Sequence, residues 1–261
     1  MDNLRVIKIG GNIIDNPVLL NQFLDDFAKI SSPKILVHGG GKLATKMASQ
    51  LAIPTQMIEG RRITDASMLD VVTMVYGGLI NKKIVAGLQM RGCNALGLTG
   101  ADAQTITAIK RPIKTIDYGF VGDIVDVNTP IIYQFLNAGI TPIFAPLTAD
   151  KQGNILNTNA DTQASAIATA LSKKLHTSLY YSFEKAGVLR DAEDDNSVIQ
   201  EINPSLYAEL KENKIITDGM IPKLDNAFEA IQKGVKHVWI GQASSLLPFI
   251  NGQKSGTLLS I

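Results

Sequence analysis

Two glycine clusters stand directly after apolar runs, where they could bind an anion. Residues 35–42 read ILVHGGGK, an apolar run followed by three glycines and Lys42. Residues 7–11 read IKIGG and place Lys8 just ahead of a second glycine pair. Glycine lets the backbone bend so that several N–H groups point at one phosphate, above all where a helix begins. The two clusters therefore predict a site for a phosphorylated ligand.

The 35–42 stretch is not a Walker loop. That motif, G-x-x-x-x-G-K-[ST], needs glycine at position 36 and serine or threonine at position 43, and both positions hold leucine. The dinucleotide fingerprint G-x-G-x-x-G/A fits Gly39, Gly41 and Ala44, and Glu59 stands about 20 residues further on. Glu59 lies beside a turn glycine rather than at a strand end, so a Rossmann-type dinucleotide-binding protein is only a remote alternative. A tight strand-to-helix turn without a ligand is the structural alternative, and we expect His38 to bond to the backbone.

Lysines and acids elsewhere could complete an anion site. Lys8 interrupts an apolar run, and a buried ammonium is costly without an anionic partner. Lys223 stands in the opening turns of a predicted helix capped by Asp218, where the helix dipole disfavours a cation unless an anion is present. Asp161 is either a helix cap or a site residue. Asn157 and the "GRRIT" run at 60–64 add polar groups, since arginine can grip a carboxylate with two hydrogen bonds.

Strand-length apolar stretches alternate with helical patterns along the chain, which predicts parallel strands joined by helices. Ligands bind at the carboxyl ends of such strands, where the glycine clusters stand. Residues 104–127 read as an antiparallel hairpin, and "GTLLSI" near the end as a sheet edge. The region after Asp65 reads as two successive helices. The predicted strands are 4–11, 34–38, 95–100, 140–147, 178–183 and 237–241; further helices follow Asp15 or Asn16, follow the 39–41 glycines, and cover 130–139, 161–172 and 218–233.

Composition narrows the function classes. The 261 residues suit one large α/β domain or two tightly joined lobes, with 45% hydrophobic and 19% charged residues. A net charge of +1 argues against a broad nucleic-acid-binding or membrane-binding surface. A single cysteine, Cys93, indicates a reducing, cytoplasmic compartment. We find no secretory signal and no run of 18 uninterrupted apolar residues, so no membrane span is expected.

Short motifs follow one another along the chain in a fixed order: IKIGG, VHGGG, GRRIT, INKKIV, GFVGDI, NTNAD, AGVL and ITDGMIPK. This ordered set resembles the amino-acid kinase family, and within it the members that phosphorylate N-acylated glutamate. The resemblance covers essentially the whole chain. It implies an α/β fold: a three-layer αβα sandwich around an eight-stranded, mainly parallel sheet, as in carbamate kinase.

The resemblance also implies roles for single residues. Lys8 and Lys223 match the pair that stabilises the transferring phosphoryl group, and Asp161 the carboxylate that holds both lysines. Arg62 would bind the α-carboxylate of the acyl amino acid. The expected acyl-amino-acid site is Gly40, Gly41, Arg62 and Asn157, and the expected phosphate and ATP site is Gly10, Gly11, Glu184, Lys185, Ala186, Gly187, Val188, Leu189, Asp218, Gly219 and Met220.

The implied reaction is transfer of a phosphoryl group from ATP, with Mg²⁺, to the γ-carboxylate of N-acetyl-L-glutamate, the second step of arginine biosynthesis. We expect no protein metal cage, since Mg²⁺ would sit on nucleotide oxygens and water. The expectation is one domain, with residues 1–150 binding the acyl amino acid and forming the dimer contact, and 151–261 binding ATP. The chain starts at its first strand, without the N-terminal helix of arginine-inhibited members, so we expect a homodimer without arginine feedback.

Three departures from the family pattern leave every catalytic position in place, but the first bears on the acyl substrate and the second on the nucleotide pocket. Arg61 stands where the family is usually apolar, Glu184 replaces an aspartate in "FEKAGVL", and "GLTGADA" lacks a basic residue. A succinyl group on the substrate would need one more cation near the acyl pocket. Arg61 is a candidate, and the alternative is that it is an exposed arginine at the rim of the pocket. Two further hypotheses are a kinase of the same fold that acts on aspartate, carbamate, glutamate or UMP, and a metabolite-sensing module without turnover.

Overall fold

The computed structural model describes residues 3–31, 33–58, 60–191, 193–216 and 220–261. Their centre is an eight-stranded sheet in which every neighbouring pair of strands but one is parallel. The mainly parallel sheet expected from the sequence is therefore confirmed. From one edge to the other the strands are β12 (Glu201–Ile202), β14 (Thr257–Leu259), β13 (Val238–Gln242), β11 (His176–Phe183), β1 (Asn3–Ile9), β2 (Lys34–His38), β8 (Thr141–Phe144) and β5 (Ala95–Leu98). The antiparallel pair is β13 with β14.

Helices cover both faces of this sheet, because its central strands are apolar on both sides. Successive residues of β1 enter different cores: Val6 packs into one and Ile7 into the other, as the alternation of a strand requires. One core holds side chains of α6 (Thr129–Asn137), α7 (Ala160–Ser172), α8 (Pro204–Glu212) and α9 (Ile221–Gln232). The other holds side chains of α1 (Gly11–Asp15), α2 (Pro17–Lys29), α3 (Gly41–Gln50), α4 (Ala66–Val72), α5 (Asn81–Met90) and α10 (Ala243–Ile250). The three-layer αβα arrangement is confirmed.

Two smaller sheets lie beside the main one. The hairpin expected at 104–127 is present, because its two strands, Ile106–Lys110 and Gly122–Val127, pair antiparallel. The hairpin is extended by β9 and β10, two strands that the sequence pattern did not predict as separate elements, and together they make a four-stranded sheet. Its order is β10 (Ile155–Asn157), β9 (Leu147–Ala149), β6 (Ile106–Lys110) and β7 (Gly122–Val127), and a two-residue pair is formed by β3 (Met57–Ile58) and β4 (Arg61–Arg62).

The two helices expected after Asp65 form one continuous helix, Ala66–Met90. Its first turn is capped as expected, since the Asp65 carboxylate accepts a hydrogen bond from the Met68 N–H at 2.8 Å. The middle, Thr73–Ile80, is π-helical and joins α4 to α5. Length and composition alone would let this helix cross a membrane. Here it packs on the sheet, with its Ile84 side chain fully buried, as core helices do.

Two other expectations need correction or extension. β14 does not close the sheet edge, because the two-residue strand β12 lies outside it. The helices α8 and α10 were not predicted. Asn203 caps α8 by accepting a hydrogen bond from the Leu206 N–H, a signal present in the sequence, whereas α10 contains Pro248, which argues against a helix.

Candidate active site

The two glycine clusters meet at the carboxyl ends of neighbouring strands, β1 and β2. The Gly39 N–H donates a hydrogen bond to the carbonyl of Ile9 at 3.1 Å. A side chain at Gly11 would lie within 4.0 Å of the backbone nitrogens of Gly40 and Gly41. Gly40 has a φ of +151°, and a Cβ there would come within 2.3 Å of Ile80 Cδ1. The loop can therefore approach the π-helical segment this closely only without a side chain at position 40.

Lys8 and Asp161 come together although they belong to different halves of the chain. The Lys8 ammonium lies 2.6 Å from Oδ1 of Asp161. Lys8 is buried in β1, and Asp161 is in the first turn of α7, which packs against both β1 and β11. The buried ammonium therefore has the anionic partner that its cost of desolvation requires.

Lys223 reaches the same place from the first turn of α9. Its Nζ lies 4.1 Å from the centre of the Phe183 ring, and Nζ of Lys8 lies 5.0 Å from that centre. Burial lowers the pKa of Lys223, the Asp161 carboxylate opposes this shift, and the positive charge of Lys8 adds to it. Both lysines and the carboxylate singled out in the sequence thus form one cluster.

Asp161 does not cap its helix. The N-cap of α7 is Asn159, whose side-chain oxygen accepts hydrogen bonds from the N–H groups of Asp161 and Thr162 at 2.9 and 3.0 Å. The capping hypothesis for Asp161 is therefore wrong. Because Asn159 satisfies the helix terminus, the Asp161 carboxylate is free to face Lys8.

A small cavity of about 180 Å³ lies beside the 39–41 loop. All four residues expected to bind the acyl amino acid line it. Arg62 and Asn157 are both buried there, although both are polar. The lining residues are Gly39, Gly40, Gly41, Met57, Gly60, Arg61, Arg62, Tyr76, Val121, Pro146, Asn157, Thr158, Asn159 and Ala160.

Hydrogen bonds hold the polar groups of this cavity in place. One terminal nitrogen of Arg62 donates to the carbonyl of Gly41 at 2.9 Å and to Oγ1 of Thr45 at 2.8 Å. Asn157 donates from Nδ2 to Oγ1 of Thr64 at 3.0 Å. The guanidinium is thereby tied to the glycine loop, so the cation and the backbone N–H groups face one small volume.

A larger cavity of about 540 Å³ lies on the other side of the loops. Six of the residues expected at the phosphate and ATP site line it. Lys42, which is exposed on the first turn of α3, lines it as well. The lining residues are Gly10, Gly11, Asn12, Ile13, Gly41, Lys42, Ser182, Phe183, Glu184, Lys185, Gly187, Met220, Lys223 and Ile240.

Five residues of the expected ATP site are not among those that line this cavity. Ala186 is half-buried. Val188 is buried and donates its N–H to Oγ1 of Thr257 at 2.8 Å, and Leu189 forms a β-bridge with Val198, so both anchor the loop. The remaining two expected residues, Asp218 and Gly219, lie outside the described part of the chain, as does Glu59 of the dinucleotide fingerprint.

Three residues near the cluster were missed by the sequence analysis. Phe183 lines the 540 Å³ cavity and also a third cavity of about 460 Å³, which Arg61, Asp161 and Lys223 share. The Tyr181 hydroxyl donates to the backbone oxygen of Asp161 at 3.2 Å. The hydroxyl of Ser182 is buried and has no hydrogen-bond partner within the described residues. Their position in the sequence could have identified them, because all three lie at the carboxyl end of a predicted strand, where ligands bind in such sheets.

His38 is a backbone-bonded histidine, as expected. It is fully buried, and burial lowers its pKa to about 4, so the ring is neutral at pH 7. Nδ1 lies 2.8 Å from the Gly39 carbonyl and must donate to it, which leaves Nε2 to accept from the Asn81 amide at 3.2 Å. The ring thus ties the glycine loop to the start of α5 and is not exposed to act as a base.

The described residues contain no group of three or more histidine, cysteine, aspartate or glutamate side chains that could hold a metal ion. A metal bound by the protein alone therefore finds no ligand set in this part of the chain.

The sequence pattern of the amino acid kinase family matches residues 3–242. The chain belongs to the amino acid kinase family. It is 58% identical over 261 residues to acetylglutamate kinase from Cytophaga hutchinsonii, covering 99% of both chains. It is 56% identical over 245 residues to acetylglutamate kinase from Bacteroides fragilis, covering 94% of each.

A solved structure shares the amino acid kinase fold at lower identity. Carbamate kinase from Giardia lamblia bound to AMP-PNP superimposes with a TM-score of 0.73 at 16% identity, covering 99% of this chain and 98% of that one. This likeness supports the fold alone. The Rossmann-type hypothesis is not supported, because the strand order and the family match both indicate the amino acid kinase architecture.

Proposed function

We propose that the protein transfers the γ-phosphoryl group of MgATP to the γ-carboxylate of N-acetyl-L-glutamate, the second step of arginine biosynthesis. The relatives that share 56–58% of its residues are named acetylglutamate kinases. One structural observation carries the proposal: Lys8, Asp161 and Lys223 converge, and Lys223 lines the 540 Å³ cavity proposed for ATP.

The chemistry needs charge neutralisation more than acid–base catalysis. A glutamate side chain has a pKa of about 4.3, so the nucleophile is already ionised at neutral pH. Its approach to a polyphosphate is opposed by repulsion between anions. Two ammonium groups and the backbone N–H groups of the glycine loops would stabilise the charge on the transferring group. The buried, neutral His38 agrees with a mechanism that uses no histidine base.

Substrate placement follows from the cavities. The acyl amino acid would occupy the 180 Å³ cavity, with Arg62 on its α-carboxylate and Asn157, Gly40 and Gly41 completing the contacts. ATP would occupy the 540 Å³ cavity, with its phosphates near Gly10, Gly11 and Lys223. Mg²⁺ enters this scheme as part of the MgATP substrate.

The domain, oligomer and compartment expectations remain proposals. Residues 1–150 would bind the acyl amino acid and residues 151–261 the nucleotide, although Gly10 and Gly11 reach into the nucleotide cavity. Exposed apolar side chains on the long helix, at Met74 and Leu79, support a homodimer. We place the enzyme in the cytoplasm, acting without nucleic acid or membrane.

N-succinylglutamate is a second candidate substrate, and one observation favours it. Arg61 lines both the 180 Å³ cavity and the adjoining 460 Å³ cavity. A longer acyl group ending in a carboxylate could extend from the first cavity towards this arginine. The succinyl substrate differs from the acetyl one by this longer chain and its terminal charge.

A hydroxamate assay tests the function directly, because hydroxylamine traps acyl phosphates. The purified chain would be given MgATP with glutamate, N-acetylglutamate or N-succinylglutamate. We expect hydroxamate from N-acetylglutamate and little from free glutamate. A preference for N-succinylglutamate that disappears in Arg61→Ala would favour the second candidate. No product from any of the three would overturn the proposal.

A further inference from the structure

Phe183 lies where the charges of the site meet. It ends β11, and its ring centre is 4.1 Å from Nζ of Lys223 and 5.0 Å from Nζ of Lys8. The same ring lines both the 540 Å³ cavity and the 460 Å³ cavity. No other aromatic side chain within the described residues lies under two lysines.

The two ammonium groups repel each other, and one carboxylate must serve both. Asp161 lies 2.6 Å from Lys8 and forms an ion pair with it. The Asp161 carboxylate therefore neutralises the charge of Lys223 less completely than that of Lys8. An aromatic face carries partial negative charge and attracts a cation without needing to be hydrated itself. The ring can therefore stabilise two converging cations while water is excluded from the space between them.

The Phe183 ring is supported by a second aromatic ring, that of Tyr181. Tyr181 stands two residues earlier on the same face of β11, and the two rings stack with centroids 5.9 Å apart and planes 19° from parallel. Tyr181 also donates its hydroxyl hydrogen to the backbone oxygen of Asp161 at 3.2 Å. One strand thus positions the ring and the carboxylate together.

We propose that Phe183 is a positioning residue for the phosphoryl transfer, whose ring face holds the ammonium groups of Lys8 and Lys223 in convergence. The proposal rests on the proposed function for its catalytic meaning. The contact between the ring and the two lysines is a property of the fold and can be measured without turnover.

Three replacements at position 183 separate the electrostatics of the ring from its shape. Incorporation of 3,4,5-trifluorophenylalanine keeps the shape and removes most of the negative charge on the face. Phe183→Tyr keeps the face, and Phe183→Leu removes the ring while leaving an apolar side chain. Phe249→Leu is the control, because it removes a ring that stacks on Trp239 at 5.5 Å and lines none of the three cavities of the site.

We expect the trifluoro variant to lose about tenfold in kcat, since each cation–ring contact contributes modestly and two are weakened. Its KM for ATP and its melting temperature should stay near those of the wild type. Phe183→Tyr should keep kcat within about threefold, and Phe183→Leu should lose at least as much as the trifluoro variant. Phe249→Leu should lower the melting temperature alone. Unchanged kcat in the trifluoro and leucine variants would overturn the proposal.

A titration separates this proposal from the function it rests on. Lys223 is faced by Asp161, Lys8 and Glu184, and weakening the ring face should move its titration to lower pH. NMR of the protein with ¹³C-labelled lysines would report this in the absence of substrates. A wild-type chain that makes no acyl phosphate refutes the kinase function only. A Lys223 titration that is identical in the wild type and the trifluoro variant refutes the role of Phe183.

Discussion

The Lys8 ammonium lies 2.6 Å from the Asp161 carboxylate, and this ion pair joins the first strand of the chain to the seventh helix. It holds the Lys8 ammonium at the carboxyl edge of the sheet, between the glycine loops and the start of α9. Lys223 adds a second charge next to it. The site is therefore an electropositive junction assembled from distant segments, and each segment can be tested by itself.

Removing either lysine should slow the chemical step. We expect Lys8→Ala and Lys223→Ala each to lower kcat by about 10² or more with a modest change in KM, because preorganised charge acts mainly in the transition state. Steady-state kinetics by the hydroxamate assay would measure this. Lys233→Ala is the control, since that lysine is exposed and paired with Glu229 on the surface of α9 and the turn after it. Near-normal turnover in both site variants would contradict the assignment.

Arg62 should control binding of the acyl amino acid. Arg62→Lys keeps the charge but loses the two-pronged geometry and the bond to the Gly41 carbonyl. We expect KM for N-acetylglutamate to rise by about tenfold to a hundredfold, which corresponds to a loss of about 1.4–2.8 kcal/mol of binding. KM for ATP should change little. Arg61→Lys is the matched comparison, and an equal or larger effect there would assign the carboxylate to the neighbouring arginine.

Gly40 should tolerate no side chain. A Cβ at this position would meet Ile80 Cδ1 at 2.3 Å, in a backbone conformation with φ of +151°. We expect Gly40→Ala to lower the free energy of unfolding by about 2–4 kcal/mol through overpacking and backbone strain. Gly78→Ala is the control, because a Cβ there would meet nothing within 4 Å. Urea unfolding of the two variants should differ clearly, and equal stability would argue against the close approach.

Acid should destabilise the protein before its carboxylates titrate. His38 has a folded-state pKa of about 4 because it is buried, below its ordinary value of about 6.5. Between these values the unfolded chain binds a proton that the native state does not. Stability should therefore fall by about 1.4 kcal/mol per pH unit from this residue as pH drops from 6.5 towards 4. Burial lowers the pKa of His237 to about 4 as well, which adds to the loss.

Urea unfolding at pH 7.5, 6 and 5 would measure this slope. His38→Gln should be less stable overall at pH 7.5 but should show a shallower loss of stability on acidification. His176→Gln is the control, because that histidine is exposed at the start of β11. A slope that is the same in the wild type and in His38→Gln would show that the buried ring does not govern acid sensitivity.

Much of the fold could be predicted because its signals are local. The alternation of apolar runs and helical patterns indicated the parallel sheet, and Asn16 and Asp65 marked helix starts that the structure confirms. The meeting of the two glycine clusters followed from the rule that parallel strands end at one edge. The partnership of Lys8 with Asp161 came only from the family resemblance, because no local pattern links residues so far apart.

The parts that could not be predicted depend on tertiary packing. The capping pattern around 157–161 offers more than one candidate, and only the folded chain shows that Asn159 takes the role. The π-helical segment Thr73–Ile80 contains Gly77 and Gly78, which are poor helix formers, but no local pattern in the sequence distinguishes its wider turn from an α-helical one. Phe183 ends the predicted strand 178–183, and no local pattern indicates its distance to the two lysines, because that distance depends on strands and helices that fold together.

The position of β1 has a consequence for how the chain folds as it is made. β1 is synthesised before the other strands of the sheet, yet it lies in the middle of the sheet and pairs with β11 along its whole length, from Asn3 with His176 to Ile9 with Ser182. The edge of β1 that pairs with β11 stays unpaired until the ribosome has synthesised β11, which begins at His176. The cluster of Lys8 with Asp161 can therefore form only late in synthesis. A truncated chain that lacks β11 would leave one edge of the apolar strand β1 unpaired and prone to aggregation.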